Sequence, residues 1–213
     1  MEPSGDAETS RAGSLPLIGK DLALDFANTA SGRGTPTHQD HLQRVDHVIA
    51  WARHARVLTP ADSEIVLGRL SRSPRAAGKF LASARALRDL IYAIAAAIAA
   101  KRQPEQTLIR HLTRIHGECI ARAQLLPMAG AFVWAWDATE TPLEATLGPI
   151  ALSALTLLTQ VEFSRIRQCE GDACGWLFFD TTKNRSRRWC EMEVCGNRAR
   201  QRRFHARRRA KAG

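Results

Sequence analysis

A mainly α-helical fold with a few short strands is expected of this 213-residue chain, with a helical domain in front of a small cysteine-organised module. Three observations carry that expectation. Hydroxyl-proline pairs stand ahead of apolar residues at helical spacing, at Thr59-Pro60, Ser73-Pro74 and Thr141-Pro142. A capping hydroxyl followed by proline in the first turn marks a helix start. Four of the five cysteines fall between Cys169 and Cys195, in two pairs with four residues inside each pair. The charge is also uneven. Residues 165–213 hold 14 Lys/Arg against 5 Asp/Glu and residues 1–164 hold 17 against 16, so nearly all of the net +10 sits in the last quarter.

A hydrophobic fraction of 45% provides for a core, and the length fits one domain or one domain plus a small module. The localised basic excess points to a polyanion, nucleic acid ahead of a membrane surface. Residues 1–14 are polar and read as a disordered leader. They lack the basic start and apolar run of a signal peptide. The longest apolar run, Ile91 to Ala100, is too short to span a bilayer. The expectation is a cytoplasmic chain without a membrane segment. In a reducing compartment, paired cysteines are metal ligands more often than disulfides.

Residues 15–164 form the expected helical domain. Leu22, Leu24 and Phe26 alternate with Ala23 and Asp25, which suits a short strand or a helical turn. Ser31 to Pro36 is a Gly-rich loop, and a helix is expected from near Thr37, with Leu42, Val45, Ile49 and Ala52 as its stripe. Thr59-Pro60 opens a short helix to about Leu70. Ser73-Pro74 opens a long one with Ala84, Leu87, Ile91, Ile94 and Ile98 on one face. Pro104 opens another with Leu108, Leu112, Ile115 and Cys119 in line, so Cys119 reads as a small buried hydrophobe. Gln124–Met128 and Ala131–Trp136 flank Ala129-Gly130 and predict a hairpin. The helix opened by Thr141-Pro142 meets Gly148-Pro149, where a kink or a split is expected because proline lacks a donor and clashes with the preceding turn. Its end is placed near Ser164. Only Arg165 to Gln168 then precede Cys169, so the module over 165–213 is expected to be docked rather than loosely linked.

Four thiolates in two matched pairs are a tetrahedral zinc set, and the spacing of four is at the wide end of the usual range. Iron sites of the same ligand type use closer pairs, so zinc comes first. The expected ligands are Cys169, Cys174, Cys190 and Cys195, holding one structural Zn²⁺. So small a piece has little apolar surface to bury and needs the metal to fold. Trp176 to Asp180 reads as a strand, and a return strand or short helix is expected to lead to Trp189. Knuckle, hairpin and helix in that order resemble a treble-clef finger. Four thiolates on Zn²⁺ leave a charge of about −2, which Arg188 and Arg198 are near enough in sequence to offset.

The tail from Gly196 to Ala210 has good helix formers. At about 100° per residue, Arg198, Arg202, His205 and Arg209 form one stripe, and Arg200, Arg203 and Arg207 another nearly opposite. With no broad apolar face, such a helix suits a groove whose two walls carry phosphates. The candidate nucleic-acid-binding residues are Asn197, Arg198, Arg200, Arg202, Arg203, Arg207 and Arg209.

The run Gly175-Trp176-Leu177-Phe178-Phe179-Asp180 after the first pair, Arg187-Arg188-Trp189 before the second, and Cys195-Gly196-Asn197-Arg198 together resemble the CGNR zinc-finger family over roughly residues 165–209. Leu24-Asp25-Phe26-Ala27-Asn28-Thr29 is similar to the opening motif of the ABATE domain, which commonly precedes that finger. The resemblance implies a bacterial-type transcription regulator whose C-terminal finger binds DNA.

Other candidates read more plainly. His38, His41, His47 and His54 lack a carboxylate-histidine constellation and read as solvated or satisfied side chains. Asp21 and Asp25 read as caps or surface pairs rather than an acid/base couple, and Gly32-Arg33-Gly34 is too short for a phosphate loop. Trp51, Trp134 and Trp136 read as core. No nucleophile, base and orienter occur as a set, so the chain is not read as an enzyme. The function expected is a DNA-binding transcription regulator with a helical domain for sensing a small-molecule effector or for association. An RNA-binding or ribosome-associated module is the alternative, ahead of an enzyme with its site in residues 15–164. The pattern does not specify an oligomeric state.

Overall fold

The computed structural model of the chain describes residues 10–212. Its helices run α1 (Leu22–Ala27), α2 (Val45–His54), α3 (Pro60–Ser71), α4 (Pro74–Ala99), α5 (Gln106–Ile120), α6 (Pro142–Gln160) and α7 (Asn197–Ala212). Six short strands pair antiparallel in twos: β1 (Ala30–Ser31) with β2 (Gln39–Asp40), β3 (Gln124–Met128) with β4 (Ala131–Ala135), and β5 (Ile166–Gln168) with β6 (Leu177–Phe179). This is the mainly α architecture with a C-terminal four-cysteine cluster.

The long helix α4 is the centre. It touches α1, α2, α3, α5, α6 and β5. Its expected stripe, Ala84, Leu87, Ile91, Ile94 and Ile98, is buried throughout. Truncating one of its large members to alanine would cost about 2–5 kcal/mol, through lost transfer energy and the cavity left behind. All three hydroxyl-proline pairs open helices, but only Thr59 and Ser73 cap them, the Thr141 hydroxyl donating instead to Asp137 O. The Thr59 hydroxyl accepts from Asp62 N while the Asp62 carboxylate reaches back, and the Ser73 hydroxyl accepts from Ala76 N.

Several expectations change. Of the two forms open to Leu22–Phe26, a strand or a helical turn, the helix forms, because Asp21 accepts from Ala23 N and Leu24 N and so caps its start. The helix expected from Thr37 begins at Val45, since residues 31–40 instead form the β1–β2 ladder. Within that loop Gly32 has φ +61°, and an added Cβ would lie 2.7 Å from Thr37 O. The helix α6 runs unbroken through Pro149, with packing on α1, α4 and α5 outweighing the local cost of the proline. It ends at Gln160, and a 3-10 turn over Phe163–Arg165 follows. By length and composition α6 could cross a bilayer, but Leu147, Ile150, Ala151, Ala154 and Leu157 are buried inside the bundle. The disorder expected of the leader over 1–14 does not hold for residues 10–14. Ala12–Ser14 form a 3-10 turn on α2, Ala12 is buried and the Ser10 hydroxyl donates to His41 O at 2.6 Å. Residues 1–9 of it lie outside the described residues. Trp51 is core, against Phe26 at 4.8 Å between ring centres, and Trp136 packs against the core. Trp134 is instead 43% exposed on β4.

The finger is docked directly. Its first strand, β5, is itself the connection from the helical domain, packs on α4 and buries Ile166. Asn28, at the end of α1, holds Leu177 of β6 by two hydrogen bonds, from Asn28 Nδ2 to Leu177 O and from Leu177 N to Asn28 Oδ1. Phe179 N donates to Gly19 O at 2.8 Å, and Gly19 N donates to Asp25 Oδ1 at 2.7 Å. Gln168 Nε2 donates to Tyr92 Oη on α4. The opening motif is thus the seat of the finger's inner strand.

Candidate metal centre and nucleic-acid interface

The two cysteine pairs sit on different backbone devices. Cys169 follows β5, where its N–H donates to Trp176 O at 2.8 Å. Cys174 N donates to Gly171 O at 3.1 Å, closing a tight knuckle with Ala173 at φ +56° and Gly175 at φ +69°. An added Cβ at Gly171 would lie 3.1 Å from Cys195 Sγ, so a side chain there would press on the cysteine cluster. The knuckle therefore lies between β5 and β6, and the hairpin partner of β6 precedes it. The return strand or short helix expected before Trp189 is replaced by an irregular loop. Asp180, fully buried, organises that loop by accepting from Thr182 N, Thr182 Oγ1 and Arg187 N. Its carboxyl is below the usual range, hydrogen bonds from Thr182 and Arg187 overcoming the upward push of burial.

The second pair straddles the start of the terminal helix. Glu191 O accepts from both Cys195 N and Gly196 N, giving a wide π-helical turn over Met192–Gly196 that leads into α7. Met192 Sδ fills the space where a Gly196 side chain would go. Arg187 ties this knuckle down. Its guanidinium donates to Trp189 O at 3.0 Å, to Cys190 O and to Ile18 O, and lies 4.3 Å from the Phe178 ring centre.

The four Sγ atoms lie within 4.8 Å of one another. Cys174 to Cys190 and Cys190 to Cys195 are both 3.6 Å, far beyond a disulfide bond. A zinc–sulfur distance of about 2.3 Å implies sulfurs about 3.8 Å apart in a tetrahedron, so the donor set fits one structural zinc. Electrostatics agree. Hydrogen bonds from the Cys174 and Cys190 thiols draw Cys169 far below the ordinary thiol range. The same contacts push Cys174 and Cys190 up, and burial raises Cys195. Without a cation the crowded thiols of the cluster oppose one another's ionisation. A dication at its centre offsets the charge of four. Cys119 stands apart on α5, where burial raises it to about 11, the behaviour of an inert core thiol.

Of the two arginines expected to balance the cluster, Arg188 instead pairs with Glu170 and lies over Trp189. Arg198 does line the cleft of about 580 Å³ beside the cluster, with Arg11, Cys174, Cys190 and Cys195 among its neighbours. From Gln201 to Arg209 every residue of α7 is exposed, and Arg198 and Arg200 are exposed before it. Only Ala199 of this stretch is buried. Arg202 pairs with Asp172 of the first knuckle at 2.9 Å, bracing the helix. Asn197 Nδ2 donates to Glu193 O, and Arg203 Nε to Ala199 O. The charge on α7 therefore projects from a rigid base into solvent.

Asp25 and Asn28 hold neighbouring backbone rather than face a substrate. Burial, reinforced by Asp21, raises Asp25 to about 6 against the pull of the Gly19 hydrogen bond. His54 Nε2 donates to Leu15 O at 2.8 Å, as a satisfied side chain does. Sequence reasoning left Asn28 without a role and passed over Arg187 and Gly171 as site residues. The signal for Arg187 was its place in the Arg187-Arg188-Trp189 run; for Gly171 it was a glycine inside the first pair.

Two family models match this chain. One, described as "Putative stress-induced transcription regulator" (ABATE), covers residues 20–161, and one described as "CGNR zinc finger" covers residues 165–208. Neither description is of an enzyme. No curated protein matches the chain.

Proposed function

This chain belongs to the ABATE family and carries a CGNR zinc finger, and we propose that it is a cytoplasmic transcription regulator that binds duplex DNA through α7. The observation that carries this reading is an exposed, arginine-dense helix whose first turn is built into a four-cysteine cluster. Cys169, Cys174, Cys190 and Cys195 would hold the zinc, and the bound ion would supply a tetrahedral cross-link between the knuckles with no acid–base or redox step. The residues do the rest. Arg187 and the Glu191 carbonyl set the exit direction of α7. Arg202, through Asp172, limits its swing. Arg198, Arg200, Arg202, Arg203, Arg207 and Arg209 then face phosphates, and Asn197 lies at the helix start where it can reach a backbone or a base edge.

The division into a helical domain over 15–164 and a finger over 165–213 is retained as the working organisation, with the first serving to sense a small molecule or to associate. Like charges three and four residues apart weaken α7 on its own, and phosphates lining a groove would relieve that repulsion. The test is selection of bound duplexes from a random pool, with zinc measured on the same sample and structured RNA as competitor. Enriched duplexes at one zinc per chain support the reading. Preference for RNA, or no affinity for any duplex at low salt, ends it.

A further inference from the structure

The hairpin β3–β4 carries no charge from Gln124 to Trp136, in a chain that is 24% charged. Leu125, Leu126, Met128, Phe132 and Trp134 are between 43% and 69% exposed. The register puts Leu125 opposite Trp134 and Pro127 opposite Phe132 on one face, with Leu126 opposite Val133 and Met128 opposite Ala131 on the other. Both faces are apolar, and no third strand extends the pair among the described residues. Its root is fixed, since Trp136 packs against Gly148 of α6 and its Nε1 donates to Cys119 O at 2.7 Å. A lone two-stranded hairpin is marginal in water. Open edges usually carry charge to prevent pairing, and this one does not.

The two edges differ. Ala129 and Gly130, both at positive φ, close the hairpin with a two-residue turn. The pair beside such a turn, Met128 and Ala131, exchanges hydrogen bonds, so the backbone groups of Phe132 and Trp134 turn outward. On the β3 edge the equivalent place is Pro127, which has no N–H to offer. The β4 edge has no such block. The five exposed side chains are spread over both faces of the hairpin, and pairing along the β4 edge brings Phe132, Val133 and Trp134 against their counterparts. The edge selects the occupant: the outward N–H and C=O groups of Phe132 and Trp134 are satisfied by those of an identical strand turned about Val133, and residues 1–164, with 17 Lys/Arg against 16 Asp/Glu, are near neutral, so the repulsion concentrated in residues 165–213 does not oppose the meeting.

We propose that a second copy of this chain docks on the hairpin, its β4 pairing antiparallel with this β4. The result is a four-stranded sheet with Val133 on the twofold axis. Phe132 then lies opposite Trp134 of the second copy on one shared face, as an isologous interface requires. The inference is independent of what α7 binds.

Sedimentation velocity of the full, zinc-loaded chain tests it over about 1–100 µM, the range that reads a micromolar dissociation constant. The expected result is a reversible dimer whose dissociation constant rises at least tenfold in Phe132→Glu, with zinc content and far-ultraviolet circular dichroism unchanged. Phe132→Thr, which keeps strand propensity, should weaken it in the same direction. A wild-type chain monomeric throughout would assign the hairpin to a partner of different sequence or to a small apolar ligand and overturn the proposal. A dimer indifferent to Glu at 132 in a folded variant would overturn it as well.

Discussion

The side chain of Asn28 pairs with the backbone of Leu177 as a neighbouring strand would, one hydrogen bond out and one back, each 2.8 Å long. Asn28 is 2% exposed and Leu177 fully buried, so neither residue has water as a substitute. Asn28→Ala leaves a buried N–H and a buried C=O without partners, at about 1–3 kcal/mol each. Chemical denaturation should show a loss of about 2–5 kcal/mol in total. Asn28→Asp should be worse than Ala at pH 7, because a carboxylate oxygen would face the Leu177 carbonyl. If both variants matched wild type, the clamp would have no energetic weight.

Removing the metal separates the two parts of the chain. Chelation, or Cys190→Ser, should unfold the finger while the bundle around α4 persists, because the finger's buried set is small: Cys169, Phe178, Cys190 and Cys195. Metal analysis should read one zinc per wild-type chain and far less in the serine variant. Circular dichroism should retain most of its helical signal. Full zinc retention by Cys190→Ser would remove that residue from the ligand set.

Gly171 supplies a subtler probe of the same centre. Its Cβ position lies 3.3 Å from both Cys174 Cβ and Cys195 Cβ and closer still to Cys195 Sγ. Gly171→Ala should therefore lower zinc affinity roughly 10- to 100-fold, comparable to losing a supporting partner of a metal ligand, while every thiol remains. Competition with a chromogenic chelator measures it. Unchanged affinity would mean that the knuckle relaxes freely.

Binding through α7 should be strongly salt dependent. If six arginines each neutralise one phosphate, the slope of log K against log salt should be about −5, and affinity should fall roughly a thousandfold between 50 and 200 mM salt. Arg207→Ala should flatten the slope by about one unit. Arg202→Ala should cost less than Arg207→Ala, since Asp172 already pairs with Arg202 and competes with a phosphate for it. Fluorescence anisotropy across a salt series reads both, and a flat slope would rule out phosphate contact by this helix.

Asp25 gives a pH signature. Its carboxyl is raised from 3.8 to about 6 in the folded chain by burial. The folded state then binds more protons than the unfolded one between these values, so this group's contribution to stability falls as pH rises through that window and levels off above about 6. The span corresponds to about 2–3 kcal/mol. Asp25→Asn keeps an oxygen for Gly19 N–H and removes the charge. It should be as stable as wild type or more stable at pH 7, with a flatter profile between pH 4 and 6 in denaturant titrations. A marked loss at pH 7 would show that the ionised carboxylate is needed.

Much of this was legible because the signals were local. Proline starts placed α3, α4 and α6, periodicity predicted the buried face of α4, and paired cysteines anticipated the cluster. What was illegible depended on distant partners. Leu22 to Phe26 has a period that suits a strand, and the Asp21 cap and the surrounding bundle decide for helix. The strand at Leu177–Phe179 was legible, but its pairing with β5 across the knuckle was not, because residue types do not state which neighbour a strand takes. Trp134 looked like core from its chemistry. Its exposure follows from a hairpin that leaves the bundle just before Trp136, which no period reveals. The purpose of Asn28 lay 149 residues away.

That separation governs the order of events during synthesis. A ribosome moving at roughly 5–20 residues per second delivers Leu177 some 7–30 s after Asn28. Throughout that interval the Asn28 amide has only water to bond. The seat on α1 cannot close until the last fifth of the chain emerges, so the slowest-formed contact of the helical domain and the capture of metal belong to one late event. A nascent chain halted before β6 would leave this seat open, with the Asn28 amide unpaired by any strand.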